Sequence, residues 1–394
     1  MSFVGAFNNL SLSGLRASCL NSTESDVSRV ITNPTHTLSD FIHLISPAAS
    51  NRLEQLAQKS KDLTQQRFGK TIRLFAPLYL SNECINNCSY CGFSRDNPII
   101  RSTLSIPQVI QEGEELKRQG FSNVLLVAGE HPKFVSNGYV AQCIAELSKF
   151  IPSISVELGP LKTHEYIPMI SGGAEGLVVY QETYDRNAYK AFHTSGPKKK
   201  FDWRLSTPER AYAAGFRRLG IGALFGLSDW RSEAIALASH ALWLQKHCWK
   251  SQLTISLPRL RPCAGEFEPV DILNDNNLTQ IICAFRLLLP DAGIVLSTRE
   301  PANFRNGIMP LGVTLMSAGS HTEPGGYTGT GTENLHLTKK GKIIKLDEKS
   351  AKHTNSATEQ FNIADHRSAA TVAAHIKKIG LEPVWKDWEG SILN

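Results

Sequence analysis

Eight short β-rich runs recur along the chain: Arg73–Leu80, Asn123–Ala128, Ser153–Leu158, Gly176–Tyr180, Arg217–Leu224, Gln252–Leu257, Gly293–Ser297 and Leu311–Met316. Stretches long enough for a helix separate most of them. Ser105–Gln119, with Pro107 near its start, and Ser228–Trp249 and Asp271–Leu289, with apolar residues at helical spacing, are examples. A doubly wound sheet gives a similar alternation, so the count decides: eight strands predict an α/β fold of the (β/α)8 TIM-barrel type. The expected layout is an N-terminal helical extension over 1–70, a barrel over 71–320, and a loop-rich C-terminal tail over 321–394. The extension includes a helix at Arg52–Gln66. The tail opens polar and Gly/Thr-rich (HTEPGGYTGTGTENLH) and recovers apolar periodicity at Ala369–Ile379, a closing helix. A barrel of this kind is expected to be filled by side chains except at its mouth.

Composition narrows the class. Hydrophobic residues make up 41% and charged residues 20% of 394, enough for a large core and too apolar for disorder. No apolar run reaches the ~18–20 residues that span a bilayer, so a soluble protein with no membrane partner is expected. The N-terminus lacks a secretory pattern; it is Ser-rich, free of acids before Glu24, and in this shares a feature with organelle transit peptides. The net charge of +6 is not gathered into a stripe with stacking aromatics. Lys198–Lys200 and the stretch from Lys339 to Lys345 read as solvated loops, and no nucleic acid is expected.

Three of the eight cysteines, Cys84, Cys88 and Cys91, fall within eight residues at the spacing Cys-x3-Cys-x2-Cys. A tetrahedral zinc would need a fourth ligand, whereas three thiolates can hold three corners of a cubane iron–sulfur cluster and leave one iron open. The trio directly follows the first β-run, at the barrel face where catalytic groups gather. Cys19, Cys143, Cys248, Cys263 and Cys283 stand alone and read as small core residues. His193, His321 and His336 lack ligand spacing and read as hydrogen-bonded or surface residues, so no zinc is expected.

This cysteine spacing, with the aromatic Tyr90 before the third cysteine, resembles the radical S-adenosylmethionine (SAM) enzymes. In them three cysteines hold a [4Fe–4S] cluster, SAM chelates the fourth iron, and one electron cleaves SAM to methionine and a 5′-deoxyadenosyl radical. The segments SPAAS, QRFGKTIRLFAPLYLSNECINNCSYCGFS, YQETYD, FDWRL, GIGALFGLSDWR, PRLRPC, STRE, SAGSHTEPGGY and PVWKDW extend the likeness over nearly the whole chain. They are similar to the 2-iminoacetate synthase (ThiH) family, the tyrosine lyases of bacterial thiamine biosynthesis. The resemblance implies that L-tyrosine is split at Cα–Cβ into p-cresol and 2-iminoacetate (dehydroglycine), which supplies the C–N unit of the thiazole. It also implies thiazole synthase as a protein partner and an electron donor such as flavodoxin or ferredoxin. The stretch from Leu10 to Ile31 runs collinearly with the family, which favours native chain over a transit peptide and a cytoplasmic location. The hydrogenase-maturation tyrosine lyase and the nosiheptide tryptophan lyase resemble the chain in QETY, DWR and STRE. The former carries a second cluster on C-terminal cysteines, and this chain has none after Cys283. PVWKDW sides with the tyrosine branch; tryptophan or another aromatic amino acid is the alternative substrate.

Each residue the resemblance singles out lies at or just after the C-terminal end of a β-run. Cys84, Cys88 and Cys91 are the cluster ligands. Ala128-Gly129-Glu130 resembles a Gly-Gly-Glu motif: Gly129 lets backbone approach SAM and Glu130 accepts from its ammonium. Glu157, Tyr180 and Glu182 are further SAM contacts, and Arg186 is a contact to the SAM carboxylate. Arg299, in STRE, presents a planar fork to the tyrosine carboxylate, and Ser317 adds a hydroxyl. Arg259 and Arg261, in PRLRP, either bind substrate or brace loops.

Overall fold

The computed structural model describes residues 2–344 and 356–385. Helices Phe3–Asn8, Leu12–Leu20, Glu24–Thr32, Leu38–Leu44, Pro47–Ser50 and Leu53–Phe68 come before the first strand. Local chemistry starts several of them. Thr23 with Asp26, and Thr37 with Asp40, form reciprocal capping boxes that satisfy the free amides of the first turn. Ser105 and Gln108 do the same for the helix Ile106–Arg118, with Pro107 in its first turn.

The strands that follow are β1 (Thr71–Ser81), β2 (Asn123–Ala128), β3 (Ser153–Glu157), β4 (Ala174–Glu182), β5 (Arg218–Ala223), β6 (Gln252–Ser256), β7 (Gly293–Leu296) and β8 (Leu315–Ser317). Neighbours in this order pair in parallel, and β8 returns to β1 through Arg73↔Leu315 and Phe75↔Ser317, closing an eight-stranded barrel. The barrel predicted from the run count is therefore the fold. The strands are apolar because helices cover their outer faces; all six residues of β5 are buried.

Three local features differ from expectation. The eighth strand does not begin at Leu311: Met309–Leu311 is a 3-10 turn built on Pro310, and pairing starts only at Leu315. After the predicted closing helix (Ala369–Lys378) the barrel sheet gains a ninth strand, β9 (Glu382–Val384), beside Thr71–Arg73 at the lower end of β1. The barrel interior is also not filled below the mouth. A second, small cavity lies beneath the first and shares Phe75, Leu125, Tyr180, Ser256 and Val295 with it. Its walls include Gly176, Gly220, Ser153, Ser155 and Thr254, which bring too little volume to fill the layer.

Two register shifts fall at the upper rim, between Tyr79 and Ser81 on β1 and between Tyr180 and Glu182 on β4. Bulges there re-aim the last side chains of a strand. The segment 358–365 then crosses the mouth as a strap. Thr358 N donates to Ile100 O, Gln360 N to Thr322 O, Asn362 N to Pro262 O, and Ala364 N to Thr298 O. No helix among the described residues is long and apolar enough to cross a membrane.

Candidate active site

The cysteines sit on the loop that leaves β1, and buried polar groups fix that loop. Arg101, 1% exposed, donates to the carbonyls of Asn82, Phe93 (3.1 Å) and Ser94 (2.8 Å). Asn97 Nδ2 donates to the Cys91, Gly92 and Ala264 carbonyls. Tyr90 OH meets His193 Nε2 at 2.7 Å, and His193 Nδ1 lies 2.7 Å from Tyr189 O. A carbonyl only accepts, so Nδ1 carries the proton and Nε2 accepts from Tyr90. Burial, reinforced by Lys198, pushes His193 down to about 3, which keeps it neutral in this role. His336 lies on Glu83 (2.6 Å) and His321 on Glu323 (3.0 Å).

All three loop cysteines are free; Cys88 is buried and Cys84 and Cys91 are half-buried. Asn86 Nδ2 points at Cys84 Sγ (3.7 Å) and Gln360 Nε2 at Cys91 Sγ (3.9 Å). Burial pushes the Cys88 and Cys91 thiols up, so a bound cation is what would hold them as thiolates. Among the described residues no three His, Cys, Asp or Glu side chains converge on one metal ion. A cubane cluster does not require that convergence, because each thiolate holds a different iron. The donor set, with amide hydrogens facing sulfur, fits the [4Fe–4S] cluster. Cys263, taken from sequence as an ordinary core residue, lies beside this loop and donates to Tyr90 O at 3.3 Å.

Beside the loop stand two acids with different partners. Glu130 Oε2 accepts from Asn86 Nδ2 at 2.7 Å, and Gly159 leaves the room its carboxyl occupies. A Cβ on Gly129 would collide with the Glu83 carbonyl, so the glycine is what lets the end of β2 approach the cysteine loop. Glu182 adopts a left-handed φ of 72°, unusual for a residue with a side chain. Its carboxylate is held by Lys198 Nζ (2.7 Å) and Arg204 Nη2 (3.1 Å), while Arg204 Nε donates to Tyr180 O (2.6 Å). Burial pushes the Glu182 carboxyl up, but Lys198 and Arg204 together hold it below the ordinary range. Lys198 and Arg204 thus share one carboxylate, with Glu130 as a second acid acting on Arg204.

Arg186 is not brought to this rim. It stacks on Phe201 (4.2 Å), bonds Asn8 and Asp202, and its side chain is 43% exposed. It starts the helix Arg186–Phe192, and that first turn faces the N-terminal helices. The expected carboxylate contact is therefore corrected: the arginine at the rim is Arg204, from FDWRL. Arg259 and Arg261 both pair with Glu300, and Arg259 also with Asp275, so they brace loops.

Below the rim lies a cavity at the mouth of the barrel. Tyr79, Leu125, Val127, Glu157, Tyr180, Ser256, Arg299 and Ser317 line it, with Gln360 and Phe361 from the strap. Tyr79 OH donates to Gln360 Oε1 at 2.7 Å. The Arg299 guanidinium stacks on Phe361 at 3.3 Å and has no carboxylate partner among the described residues. Ser317 Oγ accepts from Thr298 N at 3.0 Å, which ties β8 to the turn that carries Arg299. Burial and the nearby Glu182 raise the Glu157 carboxyl to about 7, against the pull of Arg299.

Known proteins resemble the chain along its length. The Radical SAM superfamily model matches residues 78–238, and the Biotin and Thiamin Synthesis associated domain matches 256–382. The 2-iminoacetate synthase of Escherichia coli (strain K12) is 41% identical over 388 residues, 98% of this chain and 97% of that protein. A crystal structure of HydG, a maturase of the [FeFe]-hydrogenase, superposes with a TM-score of 0.86 at 27% identity, covering 97% of this chain and 81% of that one. HydG from Carboxydothermus hydrogenoformans gives 0.81 at 32% identity, covering 92% and 80%.

Proposed function

The chain belongs to the 2-iminoacetate synthase family of radical SAM enzymes, and from that premise we propose that it splits L-tyrosine at Cα–Cβ into p-cresol and 2-iminoacetate. It is a carbon–carbon lyase that uses a [4Fe–4S] cluster and SAM. The observation that carries the reading is a three-thiol loop beside an apolar, aromatic-lined cavity that holds a guanidinium, Arg299, with no carboxylate partner among the described residues.

When bound, the cluster and SAM supply one-electron cleavage of the sulfonium, which yields methionine and a 5′-deoxyadenosyl radical. Cys84, Cys88 and Cys91 would hold the cluster through three of its irons. Gly129 and Glu130 would receive the methionyl ammonium, and Lys198 and Arg204, which share Glu182, would offer donors to its carboxylate. Tyr180, which lines both cavities, would contact SAM from the end of β4. Arg299 anchors the tyrosine carboxylate through its fork, with Ser317 fixing the turn beneath it, so that the substrate amine faces the radical carbon. The strap over the mouth excludes water from a radical and from an imine that hydrolyses readily. That lability favours direct delivery to thiazole synthase. A flavodoxin or ferredoxin as reductant and a cytoplasmic location complete the reading.

The deciding experiment is anaerobic turnover of the reconstituted protein with SAM, a strong reductant and tyrosine, read by mass spectrometry. We expect p-cresol together with 5′-deoxyadenosine, and a large rise in the tyrosine KM for Arg299→Ala. Deoxyadenosine without p-cresol would reject tyrosine as substrate, and tryptophan is then the next to test.

A further inference from the structure

Of the carboxylates placed at this site, Glu130, Glu157, Glu182 and Glu300, one has no protein partner among the described residues. Glu130 accepts from Asn86, Glu182 is held by Lys198 and Arg204, and Glu300 by Arg259 and Arg261. Glu157, the last residue of β3, lines the cavity and makes no side-chain hydrogen bond or ion pair among the described residues. A carboxylate out of bulk water without a partner is costly, so a ligand group is expected to supply one.

Topology says which ligand. Around the closed barrel, β3 and β7 are four strands apart in either direction, so they face each other. Arg299 follows β7, at the rim; Glu157 ends β3, within the wall. Between them lie Leu125, Val127 and the rings of Tyr79 and Tyr180. The cavity thus offers an unpaired cation at one wall, an apolar and aromatic middle, and an unpaired carboxylate at the other. An amino acid anchored at Arg299 by its carboxylate sends its side chain across to Glu157.

We propose that Glu157 is the specificity-determining residue for the substrate side chain, accepting a hydrogen bond from the phenol hydroxyl of tyrosine. The inference rests on the tyrosine reading above and deepens it, because that reading gives Glu157 no substrate role. Phenylalanine fills the same space but leaves the carboxylate buried and unpaired. Sites built to bond a substrate hydroxyl reject the analogue that lacks it by as much as roughly 10⁴-fold. The groups facing Glu157 are Tyr79 from β1, Tyr180 and Glu182 from β4, Lys198 and Arg204 behind Glu182, and Arg299 opposite. Burial and Glu182 lift its carboxyl to about 7. The accepting, ionised form therefore increases as pH rises through neutrality.

The test uses reconstituted holoenzyme with Glu157→Gln and Glu157→Leu, measuring kcat/KM for tyrosine, phenylalanine and tryptophan, and the SAM dissociation constant. The expected result is a loss of tyrosine kcat/KM of about tenfold in the Gln variant and roughly 100-fold in the Leu variant. The preference for tyrosine over phenylalanine should collapse in both, with SAM binding unchanged. The rise of wild-type tyrosine kcat/KM with pH through about 7 should flatten in Glu157→Gln. An unchanged tyrosine-to-phenylalanine ratio overturns the proposal, as does a tenfold weaker SAM affinity, which would return Glu157 to the cofactor. Should Glu157→Leu fail to take up its cluster, the near-isosteric Gln variant decides by its ratio and pH profile. Wild-type protein that makes no p-cresol would sink the tyrosine reading itself; active wild type with unaltered variants would sink only the role of Glu157.

Discussion

Gly129 sits where two requirements meet. Its amide donates to Ser81 O at 3.1 Å, and its missing side chain makes room for the Glu83 carbonyl and for Cys84 Cβ. An added methyl would press on backbone, which cannot rotate away, so the Cys84 turn has to shift. Gly129→Ala is therefore expected to lower iron content and cluster absorbance after reconstitution. Gly307→Ala, a helical position with nothing within 4 Å of its Cβ, should leave both unchanged and serves as control. Equal cluster loading in the two variants would show that the close approach is not needed. The position of Gly129 was legible in sequence because the motif is local, directly after a strand, but its packing against the cysteine loop was not. Arg186 was not: its neighbours Asn8 and Phe7 lie far away in the chain and turn it outward, whereas Arg204 reaches the rim from a helix that spacing alone does not mark.

At the scale of elements, the strap is what sequence reading missed. Its residues carry no apolar period and read as tail, yet Gln360 touches Tyr79 and Cys91 and Phe361 covers Arg299. Every one of these contacts is made across a long sequence separation, which neither propensity nor periodicity records. The strap ends at Asp365, paired with the fully buried Arg305, which also donates to Ser317 O. Burial pushes the Asp365 carboxyl up, but Arg367 and Arg305 more than offset this and hold it below the ordinary range. The tie is thus complete above about pH 4 and is lost only as pH falls below that. Asp365→Asn leaves Arg305 buried without its counter-ion, a change that costs about 3 kcal/mol. We expect a lower melting temperature and faster hydrogen exchange over 358–365, and uncoupled deoxyadenosine formation as water enters the mouth. Wild-type exchange in that segment would mean the ion pair does not hold the strap.

At the scale of the whole molecule, the barrel was legible because eight apolar runs at βα spacing leave few ways to bury both faces of a sheet. That the N-terminal helices cover the barrel was expected, but where the first two anchor was not, since Phe3–Asn8 spans six residues and Leu12–Leu20 is weakly amphipathic. Their anchors lie on distant elements. Phe3 is fully buried, stacks on His240 at 4.2 Å, and its amide donates to Glu209 at 2.7 Å. Phe7 packs on Phe201 and Tyr184, and Arg16 pairs with Asp229 at 2.8 Å. Phe201 opens the short helix that carries Arg204, so the extension backs the wall holding Glu182. Burying two phenylalanines contributes about 3–6 kcal/mol, a large share of the 5–15 kcal/mol that typically separates folded from unfolded protein. Removal of residues 2–22 would also uncover Tyr184, Phe201 and His240, an apolar patch that favours aggregation. The truncated chain is therefore expected to melt at a markedly lower temperature. Any fraction that stays soluble should bind SAM more weakly than the full chain, because the Arg204 helix has lost its support. An unchanged melting temperature with weakened SAM binding would confine the role of the extension to the site, and full retention of both would show that the barrel stands without it.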